Sequence, residues 1–281
     1  TGVSDDDTTT CESIMLQIDN VDPTAEIDES GTILINGIPT FLAHAGDPLD
    51  FYGRSTDPGS DDLHLSWDWD DGPPVPDVTT IYLVNPPDPD PLPSPSVQPR
   101  DVTDMQTHAF DQACLYEIAF LAEDDDGGTG DDSAIVIIVG NADYTRTAGY
   151  WGRHFTQKRK VDFTAEELTC YLDIVNYMSL IFSEVTPVTT IEEAFDVLKT
   201  NGSGGSMEDI FDRQLLAVWL NFANGAVEYD ELVDTDFDNV PDTPFYMAVA
   251  AAEAVRLDPT ASRDELEMQK NIMEWINMMD E

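Results

Sequence analysis

The residues best suited to chemistry are aspartates. Asp234, Asp236 and Asp238 alternate along one short stretch, and Asp242 follows. They stand at positions 1, 3, 5 and 9 of a calcium loop, where short carboxylates converge on a hard cation. Position 6 is Asn239, which tolerates a left-handed turn. Position 12 is Phe245 instead of glutamate, so the stretch is not an EF-hand. It reads either as a nonstandard calcium loop or as a solvated acidic loop. A second run, 123–132, places Asp124 and Asp126 on a glycine-softened hairpin that can fold carboxylates around an ion. A third group, Asp57, Asp61, Asp62, Asp68, Asp70 and Asp71, repels itself unless hydrogen-bonded or bridged by metal; Asp68 and Asp70 are the ligands expected from it. The cofactor these groups imply is a divalent cation, calcium first.

Catalytic signatures are missing by contrast. The sequence has no Gly-x-Ser-x-Gly, no His-Glu-x-x-His and no phosphate loop. Gly202–Gly205 lacks the Lys-Ser/Thr of a nucleotide loop and reads as a flexible break. His154 has no second histidine or cysteine at ligand spacing and reads as a structural anchor with Tyr150 and Trp151. Paired carboxylates abound, but none is set apart by neighbours that would separate two pKa values. The expectation is a protein that is not an enzyme.

Charge bounds the partners. There are 12 basic and 57 acidic residues, a formal net charge of −45, and aspartate outnumbers glutamate 39 to 18. Such a surface repels nucleic acid and anionic membranes and requires counter-ions. Either high salt or bound divalent cations supply them. No apolar run is long enough to span a membrane. No leader segment is read either, so for an extracellular-type chain the expectation is a mature form whose leader has been removed.

The 281 residues suffice for two domains. Positions 63–72 organise the first: Leu63, Leu65, Trp67 and Trp69 share one strand face, His64, Ser66, Asp68 and Asp70 the other, and Asp71-Gly72 ends the strand. Two large aromatics on one face need a facing sheet, so this is read as the central strand of a β-sandwich. Further strands are expected at Thr24–Asp28, Thr32–Ile35, Leu49–Arg54, Thr79–Val84, Leu115–Leu121 and Ala134–Val139. Four motifs, Ser55-Thr56-Asp57-Pro58-Gly59-Ser60, Trp67-Asp68-Trp69-Asp70-Asp71-Gly72, His108-Ala109-Phe110 and 116–128, resemble in order the signposts of a PKD domain. That resemblance implies an all-β immunoglobulin-like sandwich of extracellular type over residues 21–141. Trp69 and Asp70 depart from the family's usual Trp-x-Phe-Gly-Asp-Gly.

Two segments do not fit a minimal sandwich. Residues 1–20 form an N-terminal extension in which Ile14, Met15, Leu16, Gln17 and Ile18 look like a closing strand. That strand pairs within its own sandwich or completes the sheet of a neighbouring molecule. Residues 72–104 are a proline-rich insertion holding ten of the 18 prolines. It is extended and semi-rigid, and covers a sheet edge or contacts a neighbour.

Residues 142–162 read as a linker, after which the period becomes helical. Residues 163–281 are expected to form an all-α helical bundle whose helices open at Thr164, Thr190, Ser206 and Ser262, each followed three residues later by Glu or Asp. A further helix, from about Thr243 to Arg256, is alanine-rich and expected to pack tightly at the centre. Residues 146–154 and 214–226 resemble an uncharacterised C-terminal helical module of secreted microbial proteins. Of three cysteines, Cys11 and Cys114 flank strands of the sandwich half and are the expected disulfide, leaving Cys170 a buried thiol.

The function expected is a secreted structural or adhesive protein at the cell surface, a self-assembling subunit of a filament or surface layer, joined through the N-terminal strand or the proline arm and stabilised by calcium. The alternative is a non-catalytic accessory module of a secreted hydrolase that binds polysaccharide or protein.

Overall fold

The computed structural model describes residues 20–59, 61–73, 76–82, 99–156, 162–200 and 205–279. Cys11, the strand expected at Ile14–Ile18 and the middle of the proline-rich segment lie outside them. The first half is a two-sheet sandwich. One sheet orders β1 (Thr24–Ile27), β4 (Pro48–Asp57) and β7 (Arg100–Ala109). The other runs β2 (Ile33–Ile35), β3 (Ile38–His44), β9 (Thr129–Val139), β8 (Cys114–Asp124), β5 (Leu63–Asp68), β6 (Val78–Tyr82). All pairings are antiparallel except β3 with β9.

Leu63, Leu65, Trp67 and Trp69 are all buried, as their alternation requires. Trp67 stacks on Trp69 at 5.2 Å, and Trp69 on His108 at 4.8 Å. β6 lies where the strand over Thr79–Val84 is expected, whereas β7 corrects the far bound of the 72–104 insertion, because Arg100–Ala109 is sheet. β7 hides from pattern reading because its inward side is polar: Trp67 Nε1 donates to buried Asp104 at 2.8 Å, as does Gln106 Nε2 at 2.9 Å.

The second half is mainly helical. It comprises α1 (Ala148–Phe155), α2 (Ala165–Met178), a π-type turn (Ile181–Val185), α3 (Ile191–Leu198), α4 (Met207–Ala223), α5 (Phe245–Leu257) and α6 (Arg263–Ile276). Capping boxes close the starts of α2, α3, α4 and α6. The half is not all-α: β10 (Leu232–Val233) and β11 (Thr243–Pro244) form a ribbon before α5. Nor is 142–162 only a linker, since α1 lies in it with Trp151 fully buried. The segments 146–154 and 214–226 meet through Asn221. Its Oδ1 accepts from Trp151 Nε1 at 3.0 Å and Arg146 N at 2.9 Å, and its Nδ2 donates to Asn277 Oδ1 at 2.8 Å. His154 is an anchor as expected, accepting at Nδ1 from Asp162 N at 3.1 Å. α5 departs from expectation, because Ala250, Ala251 and Ala254 are exposed while Ala248 and Ala252 are buried.

The two halves share a wall. Val136 and Ile138 of β9 pack into the sandwich, whereas Ile137 and Val139 join the helical core. Gly140 N donates to Ala223 O at 2.9 Å and Ala142 N to Asn224 O at 3.0 Å, so the end of β9 is bonded to the C-terminus of α4. Gly225 takes φ +79° there, and a Cβ on it would strike the Gly140 carbonyl. The disulfide corrects the expected pairing: Cys114 bonds Cys170 of α2, with Cα atoms 4.5 Å apart. β8 begins beside α2, a proximity that 56 residues of separation conceals.

His44 closes the seam. Its Nδ1 faces Gly140 O at 2.7 Å and its Nε2 faces the Glu228 carboxylate at 3.0 Å. A ring with acceptors at both nitrogens favours the imidazolium, which can donate to both. Burial opposes that charge, but the Gly140 carbonyl and the Glu228 and Asp47 carboxylates outweigh it and raise the His44 pKa.

Two outcomes follow from this seam. Peptide mapping without reductant finds Cys114 linked to Cys170, and replacing both by serine lowers stability by about 3–4 kcal/mol in thermal melts. Because the folded His44 pKa is raised, its contribution is complete below about pH 6.5 and fades as pH rises through the folded value. The melting difference between wild type and His44→Gln is therefore larger at pH 5.5 than at pH 8.5.

Candidate cation site at the sandwich pole

Strand alternation builds the site. Along β4, Phe51, Gly53, Ser55 and Asp57 point inward; along β8, Tyr116, Ile118, Phe120, Ala122 and Asp124 do. Asp57 and Asp124 are thus the last inward positions of strands from opposite sheets. They face each other where the apolar core ends, only 1% and 4% exposed. The loop between β4 and β5 brings Asp61 between them. Asp57, Asp61 and Asp124 each offer an oxygen within 4.8 Å of the others. That is the spread of ligands around one ion held at about 2.4 Å.

The surroundings are already spent or add to the charge. Asp57 Oδ1 accepts from Gly59 N at 2.5 Å, while Asp57 Oδ2 is buried without a hydrogen-bond partner among the described residues. Asp124 Oδ1 accepts from Gly128 N at 2.7 Å and Asp126 N at 3.0 Å, and its Oδ2 from Asn20 Nδ2 at 2.7 Å. Asp125 caps Asp62 N at 3.2 Å. Arg100, opposite Asp57 in the ladder, binds the Asp61 carbonyl at 2.8 Å. A side chain at Gly59 would run into the carboxylates of Asp61 and Asp57, and one at Gly128 into Asp124, Asp22 and Asn20. These glycines leave the cage its space.

Electrostatics show the strain of the assembly. Burial first, then the charges of Asp57, Asp125, Asp124 and Asp126, push Asp61 up to about 6. Asp57 is also raised, by burial first and then by Asp124 and Asp125, against the lowering pull of Gly59 N and Arg100. A divalent ion would remove this repulsion.

The other expected ligands divide. Asp234, Asp236 and Asp238 do come together. Asp234, however, is served by its own loop: Phe237 N donates to it at 2.7 Å, Asn239 N at 2.8 Å and Asp236 N at 3.2 Å. Burial works against its charge, yet these amides hold it below the usual carboxylate range. Asp242 stands apart, accepting from Thr243 Oγ1 at 2.9 Å. Asp126 borders the pole and contributes its amide to Asp124. Asp68 and Asp70 are not in the cage, because β5 spans the sandwich and carries them to the opposite end. There Asp68 accepts from Asp70 N at 3.0 Å, Asp70 from Glu117 N at 3.2 Å, and Asp71 pairs with His108 at 2.8 Å. Sequence reading placed Asp57 and Asp61 in one acidic group and Asp124 in another, and missed that the three converge. The signal was present in the inward alternation of β4 and β8, which ends on an aspartate in both strands.

No family model and no curated protein matches the chain. Among solved structures, the sandwich part is similar to the PKD domain of an M14-like peptidase from Thermoplasmatales archaeon SCGC AB-540-F20, at 16% identity over 43% of this chain and 98% of that one, TM-score 0.28. It is also similar to a CARDB domain from Pyrococcus furiosus, at 8% identity over 41% and 94%, TM-score 0.26. A PapD-like domain of human CEP192 follows at 10% identity over 47% and 98%, TM-score 0.26. No described helix is long and apolar enough to cross a membrane.

Without added metal, Asp61 makes the folded state bind a proton more tightly than the unfolded one. Its ionisation therefore costs stability as pH rises from about 4 to above 6. Asp61→Asn removes that cost. The metal-free variant melts above metal-free wild type at pH 7.5, and the gap closes toward pH 4.5.

Proposed function

We propose that this chain is a non-catalytic structural or adhesive module of an extracellular or surface assembly, with its sandwich pole locked by a divalent cation, calcium first. The observation that carries the reading is the buried Asp57 oxygen, without a hydrogen-bond partner among the described residues, facing Asp61 and Asp124 in a cage of excess negative charge. Burying unpaired carboxylates costs free energy that an ion recovers. The cage joins three separate pieces: the end of β4 with its loop, the β8–β9 hairpin, and the entering chain at Asn20 and Asp22. An ion there stiffens the pole through which any preceding segment connects.

Two features support placement outside the cell. A disulfide between the halves suits an oxidising compartment. A net charge of −45 is tolerable where divalent ions and salt are plentiful. Self-assembly through Ile14–Ile18 or the proline arm is part of the same reading, on sequence alone: the first segment is mostly apolar and the second rich in proline.

Calorimetry of the full chain with calcium against chelator, at matched ionic strength, tests the reading. At 100 times the dissociation constant, one site adds about 2.7 kcal/mol, seen as a rise of several degrees in melting temperature. Asp124→Asn abolishes most of that rise, whereas Asp68→Asn leaves it. An equal response in both variants would count against the cage. Electron microscopy of the chain with and without residues 1–20 tests assembly; polymers undiminished by the deletion exclude strand donation.

A further inference from the structure

Away from the pole lies a second buried carboxylate with a different problem. Glu253 of α5 is 7% exposed. Its Oε1 accepts from Ser179 Oγ at 2.5 Å and Trp219 Nε1 at 3.0 Å, while among the described residues its Oε2 accepts from Leu180 N alone, at 3.2 Å. A carboxylate oxygen has two acceptor sites, so Oε2 keeps one open. Among the described residues no lysine, arginine or histidine pairs with Glu253. The nearby Asp212 is taken up by Arg256, at 2.8 and 2.9 Å, and adds only repulsion. Burial raises the Glu253 pKa, with its three donors pulling the other way.

This lone carboxylate sits in the wall of a cavity of about 240 Å³ between α5, the end of α2 and the β2–β3 turn. Apart from Asn36 of the β2–β3 turn, its other walls are apolar or aromatic, among them Met178, Leu180, Trp219, Tyr246, Ala254 and Leu257. Leu180, Tyr246 and Leu257 are each about 40% exposed at its rim. The outward alanines of α5 explain the opening: Ala250 and Ala254 border it and leave it unfilled. An apolar chamber with one buried, uncompensated negative charge and aromatic side chains matches a short aliphatic chain that ends in a positive charge.

We infer that this cavity binds a primary alkylammonium group, its hydrocarbon against Met178, Leu180 and Leu257 and its ammonium on Glu253 Oε2. The ligand supplies the counter-charge that the described residues do not. Either a free amine or a lysine side chain of a partner offers this chemistry, since both end a flexible methylene stem with three N–H donors. The inference stands apart from the cation cage and uses none of its residues.

The test uses the full chain at 0.15 M salt, where nonspecific attraction to an acidic surface is screened beyond about 8 Å. Binding of n-butylammonium, n-butanol and an N-acetyl-lysine amide is followed by NMR at the Trp219 indole and by titration. The expected result is n-butylammonium binding at least tenfold more tightly than n-butanol, with the Trp219 Nε1–H resonance shifted. Binding by the lysine amide as well points to a partner's side chain; its failure points to a free amine. Glu253→Gln weakens n-butylammonium at least tenfold. Should that variant misfold, Ala254→Leu, an exposed position that fills the mouth and leaves the carboxylate intact, gives the same loss. Equal affinity for the amine and the alcohol, no shift at Trp219, or unchanged amine binding in Ala254→Leu overturns the inference.

Discussion

One strand carries load on both faces, and the rest of the molecule is arranged around that fact. In β9, Val136 and Ile138 fill the sandwich while Ile137 and Val139 fill the helical half. An antiparallel sheet can leave one face in water, but this one cannot, because its outer face is apolar here. The helical half is the cover. Everything else at the seam follows from holding that cover in register: the Cys114–Cys170 bond, the Gly140–Ala223 backbone bond, the Thr40 Oγ1 to Tyr177 OH contact at 2.8 Å and the His44–Glu228 pair. The halves therefore form one folded body with two cores sharing a wall.

The same chain shows how a very acidic protein disposes of buried carboxylates. Asp212 is neutralised by Arg256. Asp234 is wrapped by amides of its own loop, and that hydrogen bonding outweighs its burial. Asp104 is satisfied by the Trp67 indole and the Gln106 amide. Among the described residues, two places leave the account open. At the sandwich pole, Asp57, Asp61 and Asp124 converge, with Arg100 alongside and an oxygen of Asp57 without a hydrogen-bond partner among the described residues. At the second, Glu253 has donors but no counter-charge. Desolvation makes both places costly in isolation, which it does not do for the many surface aspartates.

Polar residues also organise the helical half. Asn221, fully buried, bonds Trp151, Arg146 and Asn277, so α1, α4 and the end of α6 are fixed to one another by one amide group. Buried amides cost free energy unless every group is used, and here both ends of the side chain are. This gives a physical reason for the pairing of the Trp151 and Asn221 segments that drew attention in the sequence.

How much was legible depended on whether the governing interaction was local. Alternation in 63–69 dictates which side of β5 is buried, and the Thr164, Thr190, Ser206 and Ser262 boxes mark helix starts, because period and capping are short-range. The aspartate loop at 234–238 was visible for the same reason. What distance in sequence hides, only the tertiary structure decided. β7 escaped notice since its inward side is polar and is satisfied by Trp67 from another sheet. Cys114 found Cys170 because β8 packs on α2, and Asp57 and Asp61 met Asp124 because two sheets close on each other at one pole. The sequence by itself determined the two-part architecture and the surplus of negative charge. Where that charge is trapped away from water, and hence which carboxylates need a partner, was decided by the packing of elements far apart in the chain, since desolvation is a property of surroundings and not of the residue.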